Sequence, residues 1–237
     1  VFKIQASMNK AHRDRIAFMR IVSGRFDADK EVYHVQGGKK LRLSRPQQLM
    51  AAEREIIEEA YAGDIIGVFD PGIFSIGDTL CAPGKKFRFD PIPTFAPEHF
   101  KRVRSLDTMK RKQFLKGMEQ IAQEGAIQIF KTPYTGMEEV IVGVVGTLQF
   151  DVLEYRLKNE YNVELYMEGL PYEYLRWIET DDGEPVKEED LILGTDVKLV
   201  EDYKGNQLLL FGSQWAIGWT EERNKNLTFH EFGGTKF

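Results

Sequence analysis

Two stretches set lysine beside glycine as a phosphate-binding loop does, and neither completes the pattern. Such a loop needs Gly, four residues, then Gly-Lys-Ser/Thr, so that backbone N–H groups cradle the phosphates and the hydroxyl holds Mg²⁺. In Pro83-Gly84-Lys85-Lys86, Thr79 stands where the first Gly belongs and Lys86 where the hydroxyl belongs. Gly38-Lys39-Lys40 fails in the same way, with Tyr33 and Lys40 in those two places. Both read as charged turns. His12, His34, His99 and His230 are scattered, and none has a Cys or His neighbour at ligand spacing, so no metal site is expected. Cys81 lies in Leu-Cys-Ala-Pro, which reads as a strand end and lacks the setting that activates a thiolate. The acidic pairs Glu138-Glu139, Asp181-Asp182 and Glu188-Glu189 fall in apparent loops. Solvated neighbours do not separate their pKa values as an acid–base pair must. No catalytic, cofactor-binding or metal-ligating residue is expected, so function must lie in what the surfaces bind.

One cluster has the chemistry for that. Lys101, Arg102 and Arg104 are followed by Lys110, Arg111, Lys112 and Lys116. Lys112 and Lys116 are four apart and share a helix face, whereas Arg111 points elsewhere. Such residues neutralise phosphates, and rRNA is the partner they fit; an ordinary solvated helix face is the bland alternative. Aromatic residues are not interleaved with these charges, so a stacking platform for single strands is not expected there.

The surrounding chain must position them. Its 237 residues suffice for one large or two ordinary domains. No run approaches the ~18 apolar residues of a membrane span, and no secretory signal is visible. A lone cysteine excludes an intrachain disulfide and fits a reducing cytoplasm. The net charge of −5 is unevenly spread. Residues 1–90 carry 15 Lys+Arg against 12 Asp+Glu, residues 91–131 carry 8 against 4, and residues 132–237 carry 9 against 21.

Phe2, Ile4, Ala6 and Met8 alternate with Lys3, Gln5, Ser7 and Asn9, which is a strand with period two. A chain opening this way reads as a fragment cut at a domain boundary. Arg15–Val22 is apolar in both registers, so its outer face must be covered, either centrally in its own sheet or by a neighbouring domain. Gly37-Gly38 suits a two-residue hairpin between Glu31–Gln36 and Lys39–Leu43. Turns at Ser23-Gly24, Gly63-Asp64, Asp70-Pro71-Gly72 and Gly77-Asp78 complete a strand-rich region, the spacing of an antiparallel barrel or sandwich. Leu49–Glu59 is the one candidate helical window, ambiguous because Glu53, Glu55, Glu58 and Glu59 repel. Pro91, Pro93 and Pro97 mark a stiff linker. The expected domains are therefore 1–90 and 91–237.

Beyond the linker the period changes. Phe100–Arg104 reads as a strand. A helix runs from an Asp107 cap to Glu124, burying Phe114, Leu115, Met118, Ile121 and Ala122, with Gly125 as its stop. Ala126–Phe130 and Val140–Val145 are strands, Leu148–Asn159 is a helix with Leu153, Leu157 and Tyr161 on its stripe, and Val163–Met167 is a strand. Strand–helix–strand–strand–helix–strand is the ferredoxin-like split βαβ order. Further on, Leu208–Phe211 and Leu227–His230 read as strands and Ser213–Asn224 as a helix carrying Trp215 and Trp219 four apart.

Several of these segments carry a resemblance. Arg15–Gly24, Tyr61–Gly67 and Gly77–Leu80, in that order, resemble the β-barrel second domain of translational GTPases such as elongation factors Tu and G. Gly143–Glu164, Ile92–Glu98 and Gly125–Phe130 resemble the peptide chain release factor 3 family of class II release factors. Elongation factor G has a Gly-Glu-Leu-His-Leu type of turn where this chain has Gly146-Thr147-Leu148-Gln149-Phe150, which favours the release factors over an elongation factor or a ribosome-protection factor. The resemblance covers residues 1–179 and fits the tail loosely.

It implies a translation-factor β-barrel followed by an α+β domain with a C-terminal extension. It also implies a role in translation termination: GTP-dependent removal of class I release factors from the ribosome after peptide release. GTP and Mg²⁺ belong to the family's leading GTPase domain, which this chain does not contain, so neither catalysis nor a cofactor is expected of it. The implied partners are the ribosome (rRNA and ribosomal proteins), class I release factors indirectly and the family's own GTPase domain. No membrane partner is implied, and the chain is expected to be a cytoplasmic monomer. Ribosome contact carries over onto the seven basic residues named above. A stand-alone RNA-binding module and an enzyme with an unrecognised carboxylate site are the rival readings from other classes.

Overall fold

The computed structural model describes residues 1–6, 15–28, 30–43, 47–50, 53–85, 87–133 and 139–232. The chain divides into two compact units, one of Val1–Ile92 with Gln123–Gly125 and the other of Pro93–Ala122 with Ala126–Phe237.

Among its described residues the first unit holds ten short strands: β1 (Lys3–Ala6), β2 (Arg15–Arg20), β3 (Arg25–Asp27), β4 (Val32–His34), β5 (Lys39–Leu41), β6 (Gln47–Met50), β7 (Glu53–Ile56), β8 (Glu59–Tyr61), β9 (Ile65–Phe69) and β10 (Leu80–Cys81). All their pairings are antiparallel. Among the described residues they form a five-stranded sheet, β1-β2-β9-β6-β7, a three-stranded one, β10-β4-β5, and the β3-β8 ladder, without closing into a single ring. One core joins them, from Ile4, Ala17, Met19, Phe26, Ala60, Ile66, Val68 and Phe74. The strand that is apolar in both registers, β2, is paired on both sides, with β1 and β9, and Arg15–Met19 are all buried.

Two expectations fail here. The ambiguous window Leu49–Glu59 contains no helix in its described residues; it holds the end of β6, β7 and the start of β8. The β6–β7 register runs from Gln47↔Ile56 to Met50↔Glu53 and pairs the two backbones, whereas a helix would stack its acids on one another. The residues between them, and Met8, lie outside the described residues. The hairpin after β4 is not a two-residue turn either, because His34 pairs Lys39 and four residues intervene. Val35 N donates to Thr79 O and Gln36 Oε1 accepts from Thr79 N, which draws both residues away from β5; the buried His34 ring lies so close to Gly37 that a Cβ there would sit 2.4 Å from Nδ1. His34 Nε2 shares a hydrogen bond with Asp78 Oδ2 at 2.8 Å.

A buried ion pair closes the first unit. Arg15 Nε lies 2.6 Å from Asp70 Oδ2, a contact held by charge since the angle is poor for a hydrogen bond. Arg15 Nη2 donates to Phe74 O at 2.7 Å, and Asp70 Oδ1 accepts from the N–H groups of Gly72, Ile73 and Phe74.

The second unit begins with β11 (His99–Ser105), a 3₁₀ turn Thr108–Lys110, and α1 (Arg111–Gln123). Asp107 caps the 3₁₀ turn by accepting from Met109 N, so the expected helix start is a tighter turn that leads into α1. β12 (Gln128–Lys131), β13 (Glu139–Val144), α2 (Leu148–Tyr161) and β14 (Leu165–Gly169) follow. The order β14-β11-β13-β12 is that of a ferredoxin-like fold, with α1 and α2 on one face. The tail adds β15 (Tyr174–Thr180), β16 (Val197–Asp202), β17 (Gln207–Phe211), α3 (Gln214–Arg223) and β18 (Leu227–His230). It extends the sheet to eight strands through β16, which pairs β12. Of the tail strands, β15 and β16 have no counterpart in the sequence-based expectation.

This sheet is rolled, and chain geometry requires it. β14 and β15 lie six strand steps apart, about 29 Å in a flat sheet at ~4.8 Å per step. Only residues 170–173 connect them, and that connection reaches about 17 Å at most. The inside of the roll holds Phe100, Phe130, Ile141, Leu175, Val200, Leu208 and Leu210. The outside is covered twice, by α1 and α2 over Val103, Ile129, Val142 and Leu165 and by α3 over Leu199, Leu209 and Phe211.

Gly143 sits in β13 on the inner face. A Cβ there would lie 2.6 Å from Pro97 Cγ and 2.9 Å from Phe130 Cε2, so the sheet has room for backbone alone. Gly143→Ala is expected to destabilise the chain by about 1–3 kcal/mol through overpacking. Thermal melting checks this; an unchanged midpoint would show that Pro97 moves freely.

Candidate functional site

Strand alternation decides where the seven basic residues go. Successive side chains of β11 point to opposite faces. Val103 lies in the core beneath α1 and α2, so Lys101 shares that outer face, and its Nζ stands 4.5 Å from the centre of the Phe150 ring in α2. Arg102 and Arg104 share the inner face with Phe100. Arg102 pairs with Glu168 of β14 at 3.3 Å, and Arg104 stacks over Tyr166 at 4.6 Å. Both partners stand opposite in the β11–β14 register. Tyr172 lies near Arg102; burial raises its pKa, which the guanidinium partly offsets.

The remaining four are separate from these. Lys110 ends the 3₁₀ turn, half-buried, and Arg111, Lys112 and Lys116 are exposed on α1. The structure therefore brings Lys112 and Lys116 together on one solvent face, four residues apart. It places Arg102 and Arg104 on the other side of the sheet, at its β14 edge, where an acid and an aromatic already engage them. Lys101 is held by Phe150. The alternation of a strand could have signalled this split in advance, since residues 101 and 102 cannot face the same way.

The turn that singled out the release factors has a mechanical role. Gln149 Oε1 accepts from Val145 N at 3.0 Å and Gly146 N at 2.9 Å, and its Nε2 donates to Ala126 O at 2.7 Å. Thr147, at the α2 N-cap, makes no side-chain cap; Gln149 instead reaches back to the two N–H groups just before the cap and fixes the turn that enters the helix. One side chain thus ties the start of α2 to the loop before β12. At the other end of α2, Asn162 adopts the left-handed conformation, φ 56°, and its N–H bonds Leu157 O.

Two exposed faces were not assigned from sequence. On α2, Leu148, Val152 and Tyr155 form an outward stripe at helical spacing. On α3, Trp215 and Trp219 stack with ring centroids 6.4 Å apart, and Arg223 covers Trp219 at 4.0 Å. Spacing of four was legible for the tryptophans, but the exposure of Trp215 beside a half-buried Trp219 was not. Among the described residues, no three His, Cys, Asp or Glu side chains cluster as metal ligands do.

The antiparallel β unit and the ferredoxin-like unit each match the model of a translation-factor domain. Residues 1–83 match the family model described as elongation factor G domain 2. Residues 89–221 match that of class II release factor RF3, C-terminal domain. With more than half its length in the second match, the chain belongs to the class II release factor RF3 family. It is 55% identical to peptide chain release factor 3 of Symbiobacterium thermophilum over 97% of its own length and 42% of that protein. It is 46% identical to peptide chain release factor 3 of Gloeobacter violaceus over 98% of its length and 43% of that protein. The same identity relates it to that of Listeria monocytogenes, over 96% and 42%. The chain thus spans well under half the length of these relatives. A solved crystal structure from Thermus thermophilus shares the fold, with a TM-score of 0.53 at 16% identity over 84% of this chain and 29% of that one.

Proposed function

We propose that these two units are the ribosome-engaging and conformation-coupling portion of a class II release factor, acting in translation termination in the cytoplasm. The whole protein would use GTP and Mg²⁺ to remove class I release factors from the ribosome after peptide release. The residues of this chain would break no bond and hold no nucleotide. Their part is to present shapes to rRNA and ribosomal proteins and to pass on a change of state, as a monomer linked to a GTPase domain. The observation that carries this reading is the family match across residues 89–221. Coupling requires two states that differ in their contacts with the partner, and a rolled sheet backed by helices on two sides is a stiff body for the purpose.

Within it, Lys112 and Lys116 are the phosphate contacts most exposed to a polyanion. The double variant Lys112→Glu, Lys116→Glu is expected to weaken co-sedimentation with ribosomes severalfold. It should also lower the salt slope of binding by about 1 to 2. Far-UV circular dichroism should be unchanged, since neither side chain packs. Ribosome binding with the same affinity and the same salt slope would remove α1 from the interface.

A further inference from the structure

The outer face of α3 has a composition that solvated helices rarely show. Trp215 is 72% exposed, and a tryptophan left in water forfeits more apolar burial than any other side chain. It begins a ladder at positions i, i+4 and i+8. Trp219 follows at 6.4 Å, and Arg223 caps the ladder 4.0 Å from the Trp219 ring while donating to Trp219 O at 3.2 Å. Gly218, on the same outer side, has nothing within 4 Å of its Cβ position. The inner face of α3 is independently fixed by Ala216, Ile217 and Thr220, and its N-terminus by Ser213. The ladder is therefore not needed to hold the helix in place.

The surroundings are acidic. Residues 181–190 contain six Asp or Glu and one Lys. That segment leads into a strap tied to the end of α3, where Ile192 N donates to Asn224 Oδ1 and Asn224 Nδ2 donates to Ile192 O, both at 2.9 Å. Glu188, Glu189 and Asp190 form an exposed 3₁₀ turn immediately before that anchor. Glu221 and Glu222 are exposed on α3 itself. The helix is ten residues long, about 15 Å, so Trp215 stands about one helix length from the Ile192–Asn224 anchor that the acidic turn immediately precedes.

We infer that this face docks an arginine- or lysine-rich segment of a partner protein. A guanidinium stacked on the outer side of Trp215 continues a ladder that Arg223 already closes at the other end, and the acidic strap neutralises the flanking charges of the same segment. A nucleic acid is disfavoured by the same residues. Its bases could stack on Trp215, but its phosphates would meet Glu188, Glu189, Asp190, Glu221 and Glu222, and the positive charge of Arg223 is already engaged with Trp219. This docking does not depend on the ribosomal role proposed above.

The test uses the chain as it stands, titrated with a fluorescent Arg-Gly repeat peptide and, separately, with single-stranded oligouridine. Saturable peptide binding is expected, weakened about fivefold or more by Trp215→Ala. Trp215→Leu keeps the helix and the apolar area and removes the π face, and it should weaken binding similarly. Glu188→Gln with Glu189→Gln should flatten the salt dependence. The proposal is overturned by peptide binding that does not change in the Trp215 variants, by the absence of saturable binding, or by Trp215-dependent binding of oligouridine in preference to the peptide. All the substituted side chains are exposed, and circular dichroism confirms that each variant is folded before titration.

Discussion

Replacing Asp70 with alanine is expected to lower the unfolding free energy of the first unit by about 3–5 kcal/mol. The size follows from what one carboxylate does there. Its side chain is fully buried, it lies 2.6 Å from Arg15 Nε, and it accepts from three successive N–H groups of the turn after β9. The variant leaves a buried guanidinium with only neutral partners, Phe74 O and Gln123 Oε1, and it strands the backbone donors of that turn. An uncompensated buried charge is far more costly than a lost surface pair, because the desolvation penalty stays while the attraction goes. Asp70→Asn separates the two effects. The amide oxygen can still accept from the turn, so the loss should shrink to the charge component alone. Urea unfolding gives the totals, and amide exchange resolved by peptide should show the weakening within residues 1–92. A loss below ~1 kcal/mol in Asp70→Ala would mean that water reaches Arg15 and that the pair is not buried in solution.

The second large effect lies inside the roll. Phe130 is fully buried and stands opposite Ile141 of β13 and Asp202 of β16. It therefore touches both the ferredoxin-like strands and the tail. Phe130→Ala should cost about 3–5 kcal/mol, as truncations of large core aromatics do, with the cavity accounting for much of it. The site cannot collapse easily, since its walls are ladders on both sides. Phe130→Leu should recover more than half. The loss belongs to the second unit, so exchange within residues 1–92 should not change. Gly143→Ala adds a methyl where the Phe130 ring lies, so its cost should fall in the Phe130→Ala background, and a double-mutant cycle measures that coupling.

Much of this fold is legible from residue patterns, and the failures have physical causes. Phe100–Arg104 and the helix ending at Gly125 were readable because each sets a face into the core at a clean period, and the paired strands after them because both their faces are buried, Ile129 and Val142 beneath the helices and Phe130 and Ile141 inside the roll, which makes them continuous apolar runs. The β17 segment was readable because both its faces are buried. β15 was not, since Tyr174, Leu175, Trp177 and Ile178 mix apolar residues on both faces with Arg176 between them. Leu49–Glu59 misled because a short strand pair with few apolar residues has no period strong enough to choose between states. At the candidate site, charge and spacing gave Lys112 and Lys116 correctly as one face. They also grouped Lys101 with Arg102, although a strand turns neighbours to opposite sides. Gln149 was legible only as a family mark, because its hydrogen bond to Ala126 depends on a loop more than twenty residues away in sequence. The exposure of Trp215 depends on which side of α3 meets β17, which no local pattern reveals.

The rolled sheet also sets a timetable. Phe100, Phe130 and Ile141 leave the ribosome that makes this chain well before Leu208 and Leu210, the residues that will cover them. The gap is roughly 70 to 110 residues, which at about 5–20 residues per second leaves these side chains bare for several seconds or longer. The helices over the other face arrive promptly, but they shield the wrong side. A nascent chain paused within this interval would display one greasy concave wall, and its survival then rests on whatever holds it until the last strands are delivered.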